Sequence, residues 1–193
     1  MKHRILFITA IIFLTIGAMQ ASAFDGQRKG FMLNLGIGFG QGALKASAMG
    51  TSVTADAMGF ATDFKIGAGT SNQFQIYYTN RALWFSPEIG EGENKISGNL
   101  YNGMSAAGVT YFLEPQAPSV FFSGALGIGV TNDQDADYPM DGFGFTAGVG
   151  FEFTRNFVAE LTYMHAGVSG DHDIDGVDTS ISNLMIAVSW LAY

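Results

Sequence analysis

The chain has 193 residues, 17 of them acidic and 9 basic, and its net charge of −8 argues against nucleic acid as a partner. It contains no cysteine, which excludes disulfides, and its length suits one domain. Only 13% of the residues are charged, whereas 26 are glycine. A water-facing surface usually carries about 25–35% charged residues, so we expect something other than water to cover much of this protein.

The start of the chain has the three parts of a secretory signal peptide. Two basic residues precede an apolar run at 5–16, and Ala21–Ala23 supplies the small residues of a cleavage site. The apolar run is shorter than the ~20 residues that a spanning helix needs, although an uncleaved anchor is the alternative. We therefore expect an exported protein, with a signal peptide at 1–23 and one mature domain at 24–193.

Eight segments of about ten residues follow, in which apolar residues alternate with small or polar ones. The clearest pair lies at 142–153 and 157–164, where phenylalanines alternate with glycines on the first segment. A period of two over such lengths predicts β-strands. In chain order, the predicted strands lie at about 31–39, 58–67, 74–84, 101–113, 120–130, 142–153, 157–164 and 182–193.

The connections between these strands alternate between long and short. Because consecutive antiparallel strands reverse direction, all long connections then lie at one end and both chain termini lie at the other. This arrangement predicts an all-β fold, an eight-stranded antiparallel up-and-down transmembrane β-barrel. The predicted long loops are 41–57, 86–100, 131–141 and 168–180; the predicted short turns are 69–72, 114–118 and 154–156.

One face of each strand is large and apolar, and the other carries mostly small residues. A lipocalin-like barrel or a sandwich in water would bury the apolar face. Glycine, alanine, serine and threonine make a poor water-facing surface, so we expect them to line a narrow lumen, with the apolar face towards lipid. Two rings of aromatic residues are then expected at the membrane interfaces: Phe31, Phe74, Phe122, Phe153, Phe157 and Tyr193 at the short-turn end, and Phe39, Phe60, Trp84, Phe143 and Tyr163 at the long-loop end.

The opening segment FDGQRKGFMLNLGIGFG, the eight strands and the terminal aromatic Tyr193 resemble the small bacterial outer-membrane barrels of the OmpA/OmpX type. The resemblance implies an outer-membrane location, insertion by the barrel-assembly machinery and contact with lipopolysaccharide; we expect a monomer. The sequence departs from this family in two ways. No peptidoglycan-binding domain follows the barrel, and Tyr193 is out of phase with Ile186, Val188 and Trp190 of the last strand.

Five charged residues fall on the face predicted to line the lumen. Unpaired buried charges cost several kcal/mol, so we expect these side chains to pair. They would either fill the interior as a static network or gate a narrow pore, although eight strands enclose little more room than side chains fill. The residues of this predicted lumen network are Asp63, Lys65, Arg81, Glu152 and Glu160.

An acidic loop near the end of the chain resembles part of a calcium site. Asp171, Asp173, Asp175 and Gly176 match the first half of an EF-hand loop, but Ser182 stands where that loop has its bidentate glutamate. The three aspartates are therefore candidate Ca²⁺ ligands. The alternative is that such carboxylates solvate the outer loops and share divalent ions with lipopolysaccharide phosphates.

Catalysis is the least favoured of three functions. Some outer-membrane barrels deacylate lipid A with serine, histidine and a carboxylate, and here Ser169, His165 and Glu160 are near in sequence. Glu160 and His165 belong to opposite strand faces, however, and the His-x-Ser-Asn phrase of those deacylases is absent. We expect a non-catalytic barrel without cofactor that serves envelope integrity or adhesion. The alternatives are a narrow ion or small-solute pore and a lipid A-modifying enzyme.

Overall fold

The computed structural model describes residues 27–89, 96–133, 139–169 and 177–193. The predicted signal peptide lies outside these residues. No helix in this part of the chain is long and apolar enough to span a membrane. The strands found there are β1 (Gly30–Ala48), β2 (Thr51–Gly69), β3 (Phe74–Phe85), β4 (Glu88–Ile89), β5 (Ile96–Ser97), β6 (Leu100–Phe112), β7 (Ser119–Asp133), β8 (Met140–Thr154), β9 (Phe157–Val168) and β10 (Val177–Ala192).

The eight long strands form one closed barrel in the order β1-β10-β9-β8-β7-β6-β3-β2. All pairs are antiparallel, and β1 pairs with β10 to close the cylinder. The two short strands, β4 and β5, form a separate sheet between β3 and β6. The predicted eight-stranded antiparallel barrel is therefore confirmed.

The prediction of a loop at 41–57 is wrong. The strand β1 continues to Ala48 and β2 begins at Thr51, so that only Met49 and Gly50 form the turn. Both have positive φ, 49° and 81°, as a two-residue type I′ hairpin turn requires. The small residues in this stretch are also typical of loops, which is why the sequence predicts a loop. They can still form strands, because the hydrogen bonds between strands involve only the backbone.

This long hairpin extends past the end of β3. Pairing between β2 and β3 starts only at Gly59 and Phe85, while residues 41–48 of β1 pair with β2 on one side and with β10 on the other. We call this three-stranded extension the outer sheet. It consists of residues 41–48 of β1, 51–58 of β2 and 177–184 of β10.

The large apolar side chains point away from the barrel axis. Ile37 is 64% exposed and Phe143 is 67% exposed, whereas Asn34 and Asp63 on the alternate positions are buried. A barrel folded in water would place these faces the other way round. The assignment of the apolar face to the outside of the barrel is therefore confirmed.

Aromatic side chains form a row on the outer surface near the long-loop end. Phe39 and Phe60 lie 6.3 Å apart, Phe60 stacks on Trp84 at 6.2 Å, and Trp84 lies 5.5 Å from Tyr101, all measured between ring centroids. Tyr193, assigned from sequence to the ring at the other end, is instead 3% exposed and lies inside the barrel. Its phase is that of Leu191 and Ser189, which are also buried.

Candidate functional site

Four charged side chains meet in the middle of the barrel interior. Asp63 and Lys65 lie two residues apart on β2 and therefore share its inner face, and Arg81 on β3 is the cross-strand partner of Asp63. Glu160 reaches them from β9, on another side of the cylinder. All four side chains are at most 6% exposed. We call Asp63, Lys65, Arg81 and Glu160 the lumen cluster.

Each charge of the lumen cluster has two partners of opposite sign. The Lys65 Nζ atom lies 2.5 Å from Glu160 Oε2 and 3.4 Å from Asp63 Oδ2. The Arg81 guanidinium lies 3.1 Å from Asp63 through Nε and 2.8 Å from Glu160 through Nη2. Two cations and two anions balance, and such pairing offsets the cost of removing charges from water.

Neutral groups complete the hydrogen bonding of the lumen cluster. Asn34 and Thr79 donate to the two oxygens of Asp63, each at 3.4 Å. Ser123 donates to Glu160, and Arg81 donates to the hydroxyl of Thr162. The cluster is thus hydrogen-bonded to residues of β1, β2, β3, β7 and β9.

The sequence-based grouping of Glu152 with Lys65 and Arg81 is wrong. Glu152 lies in β8, nearer the short-turn end, and its Oε2 atom accepts a hydrogen bond from Arg28. Its Oε1 atom accepts a second one from Tyr193, at 3.0 Å. The side chains of Arg28 and Glu152 are 4% and 1% exposed. We call Arg28, Glu152 and Tyr193 the end cluster.

Arg28 connects several parts of the short-turn end. Its Nη1 atom donates to the carbonyl oxygens of Asn72, at 2.8 Å, and Glu114, at 2.6 Å. Its guanidinium carbon lies 4.0 Å from the centre of the Phe112 ring. Burial and the adjacent Glu152 carboxylate raise the pKa of Tyr193, which follows the last strand, so its hydroxyl stays protonated and donates.

Sequence reasoning missed Arg28 because it precedes the first strand and carries no alternation signal. One signal was present: a glutamate on the inner face, such as Glu152, requires a cation, and Arg28 is one of the few available.

Large apolar side chains fill the lumen between the lumen cluster and the long-loop end. Leu83, Met164 and Ile181 are fully buried and Met104 nearly so, and they belong to one contiguous apolar cluster. The expectation that small residues line the interior is wrong here. A second apolar cluster, which includes Met32, Phe112 and Phe121, fills the short-turn half of the interior.

Little space remains around the charged groups. A cavity beside Asp63, Arg81 and Glu160 has a volume of about 10 Å³, at the lower limit for a single water molecule. A cavity of about 70 Å³ lies at the short-turn end, beside Arg28, Glu152 and Arg155. Among the described residues, the cavity at the short-turn end is therefore larger than the one in the middle of the interior, and it has room for water.

The candidate calcium ligands Asp171, Asp173 and Asp175 lie outside the described residues. Ser182, which would occupy the last position of that loop, lies in β10, and its Oγ atom is 2.9 Å from Nδ1 of His165. In the described ranges, no group of three or more histidine, aspartate or glutamate side chains is placed to hold a metal ion.

The residues considered for catalysis are not brought together. Glu160 faces the lumen and is bound by Lys65 and Arg81. His165 lies in an outward-facing group of rings, 6.0 Å from Phe145 between centroids. Ser169 follows β9 and pairs through its backbone with Asp141. A nucleophile, base and orienting acid must lie within hydrogen-bond reach of one another, which these three residues do not.

Solved outer-membrane barrels share this fold. Ail, the attachment invasion locus protein of Yersinia pestis, is similar with a TM-score of 0.55 and 16% sequence identity, over 84% of this chain and 99% of that chain. The same protein in complex with the heparin analogue sucrose octasulfate is similar with a TM-score of 0.52 and 15% sequence identity, again over 84% of this chain and 99% of that chain. OprG from Pseudomonas aeruginosa has a TM-score of 0.49 and 10% sequence identity, over 87% of this chain and 99% of that chain.

No protein-family model matches the sequence, and no curated protein does. At these identities the structural likeness concerns the fold. The chain has the fold of the small eight-stranded outer-membrane barrels.

Proposed function

We propose that this chain is a non-catalytic barrel of the bacterial outer membrane that presents its outer sheet to other proteins. The observation that carries this function is the free edge of β2. Residues 51–58 pair with β1 on one side, and none of the described strands pairs with them on the other, although β4 lies close to β2. Thr51, Ser52, Val53 and Thr54 are all exposed.

The free edge carries few of the features that normally discourage pairing. Natural edge strands are protected by charged side chains, especially lysine, by proline, by a bulge or by a covering element. Residues 51–58 contain neither lysine nor proline, and their one charged residue, Asp56, accepts a hydrogen bond from Gln41 at 2.8 Å. Such an edge can accept an extended segment of another chain, which adds a strand through backbone hydrogen bonds.

The partner that fits this edge is an extended segment of a different protein. A second copy in the same membrane would be related by a two-fold axis along the membrane normal. Barrel strands tilt by about 35–45° from that normal, so two symmetric edges would cross instead of lying side by side. An extended segment has no such restriction.

The closed interior favours this function over a pore. The fully buried Leu83, Met164 and Ile181 lie on the long-loop side of the lumen cluster, so rearranging the charges would not by itself open a water path. The proposal includes export through cleavage after Ala23, insertion by the barrel-assembly machinery and contact with lipopolysaccharide. It also includes a monomeric state and no cofactor other than divalent ions shared at the outer loops.

Adhesion of bacteria that display the barrel tests the proposed function. Val53→Lys places a charge on the free edge, and Ala46→Lys is the matched control because Ala46 is the cross-strand partner of Val53 on the central strand and is also exposed. We expect Val53→Lys to reduce adhesion to a layer of cultured cells about tenfold or more, and Ala46→Lys to leave it unchanged. Equal binding by all three proteins would exclude the edge as the contact surface.

Two further measurements check location and chemistry. A folded barrel migrates differently on a gel before and after boiling; equal migration, with recovery in the periplasmic fraction, would contradict a membrane barrel. Lipid A mass spectra of cells with and without the chain should be identical. A changed acyl pattern would instead favour the lipid-modifying enzyme.

A further inference from the structure

The residues that flank the first and the last barrel strand converge on a single carboxylate. Arg28 precedes the first barrel strand, Tyr193 is the last residue, and each donates a hydrogen bond to a different oxygen of Glu152. Glu152 is separated from Arg28 by 124 residues and from Tyr193 by 41. Contacts between such distant parts of a chain carry a high entropic cost of loop closure.

These contacts cross the seam of the barrel. Among the described strands, β1 and β10 are the pair that joins the two ends of the chain, and Glu152 lies in β8, two strands beyond β10. Arg28 therefore reaches from the β1 side of the seam to β8, and its buried guanidinium passes Phe112 of β6 on the way. Tyr193 reaches the same carboxylate from the end of β10.

Other contacts hold the two ends in reach of Glu152. Arg28 also binds the turn after β2, through the carbonyl of Asn72, and the turn after β6, through that of Glu114. On the other side of the seam, Leu191 of β10 exchanges hydrogen bonds with Asn156 in the turn between β8 and β9, at 2.8 and 2.9 Å. Hydrogen bonds thus hold the short-turn end of the barrel on both sides of the seam. Arg28 on one side and Tyr193 on the other both bind Glu152.

We propose that Glu152 is a closure latch: it locks the β1–β10 seam by holding together the residues that flank β1 and β10, and without it the seam opens from the short-turn end. This function differs from filling space in the lumen. A carboxylate that only filled space would mainly support its own strand β8 and the strands paired with it there, through Ser119 of β7 and Val158 of β9. A latch supports β1 and β10.

Backbone hydrogen exchange of the full chain in detergent micelles separates the two roles. In Glu152→Gln we expect exchange to increase about tenfold or more at the seam, where Leu33 pairs with Ala192 and Leu35 with Trp190. Exchange should change little where Phe121 of β7 pairs with Gly150 of β8. An increase at β8 without one at the seam, a uniform increase over all strands, or no increase would overturn the proposal.

Matched variants keep the test valid if Glu152→Gln does not fold. Tyr193→Phe removes one oxygen atom, and Arg28→Lys keeps the charge but cannot bind three acceptors through a planar fork. Each should raise exchange at the seam by a smaller factor than Glu152→Gln. Glu114→Gln alters an exposed carboxylate at the same end and should leave the seam unchanged. If Tyr193→Phe and Arg28→Lys exchange like the unaltered protein, the latch is excluded.

Discussion

The lumen cluster and the end cluster are both buried ion-pair networks, yet they are built in different ways. In the lumen cluster, all four charges lie on barrel strands, and each charge has two partners of opposite sign. In the end cluster, one anion is shared by two donors from outside the strands, Arg28 and Tyr193. The first network depends on the sheet register, and the second depends on residues that flank the first and last barrel strands.

The surroundings of the two clusters also differ. The lumen cluster has a cavity of about 10 Å³ beside it, whereas that beside the end cluster is about 70 Å³. Water that reaches a broken ion pair reduces the cost of the unpaired charge. The same kind of substitution should therefore cost more in the middle of the barrel than at its end.

The largest effect is expected for Glu160→Gln. Lys65 and Arg81 would then share Asp63 as their remaining anion, with no room for water to replace the lost charge. We expect the free energy of unfolding to fall by about 3–5 kcal/mol. Urea unfolding in micelles, followed by the fluorescence of Trp84 and Trp190, measures it. Glu114→Gln is the control, and a loss below about 1 kcal/mol would contradict the prediction.

Arg28→Gln should have a smaller effect. It leaves Glu152 with Tyr193 as its remaining donor, but the cavity at this end allows water to approach the carboxylate. We expect a loss of about 2–3 kcal/mol in the same unfolding measurement. If the loss equals that of Glu160→Gln, the difference in hydration between the two clusters does not control their energetics.

Tyr193→Phe tests a single hydrogen bond of the end cluster. Loss of the hydroxyl that donates to Glu152 should lower the free energy of unfolding by about 1–2 kcal/mol. Because the folded-state pKa of Tyr193 is raised, its contribution is complete below the unfolded-state pKa of about 10 and decreases at higher pH. The difference between the two proteins should therefore shrink above about pH 10. A difference that grows instead would contradict this assignment.

The smallest effect concerns conductance. If the charges of the lumen cluster gated a pore, Arg81→Ala would alter steady cation-selective openings in planar bilayers. We expect no steady openings from either protein, because the apolar layer that contains Leu83, Met164 and Ile181 remains in place. Boiled and unboiled samples on a gel establish that the variant is folded. Steady openings in the unaltered protein that change in Arg81→Ala would instead support the pore as the function of the barrel.

The comparison also explains how much of the molecule could be predicted. Alternation places Asp63, Lys65, Arg81 and Glu160 on inner faces, because a period of two determines the side of each strand residue. The direct pairing of Asp63 with Arg81 depends on register, which alternation leaves open. The same period of two predicts the eight long strands themselves.

Other features have no local signal. Arg28 lies outside any strand, and its contacts are with residues 44, 86 and 124 positions away. The inward position of Tyr193 follows from its phase with Ser189 and Leu191, but the expectation of a terminal aromatic on the lipid face opposed that interpretation. Residues 41–48 and 51–58 form strands by pairing with each other, and 41–48 also pair with β10, which composition does not encode.

The turn at Met49 and Gly50 is a suitable site for inserting a foreign peptide. Met49 is fully exposed at the tip of the hairpin. Ala48 and Thr51, which flank the turn, pair with each other, so the two ends of an inserted peptide would be held at the distance between adjacent strands. Loop tips of this kind tolerate insertions best. An epitope inserted between Met49 and Gly50 would project beyond the end of β3, and its detection on intact cells would show directly which end of the molecule faces outward.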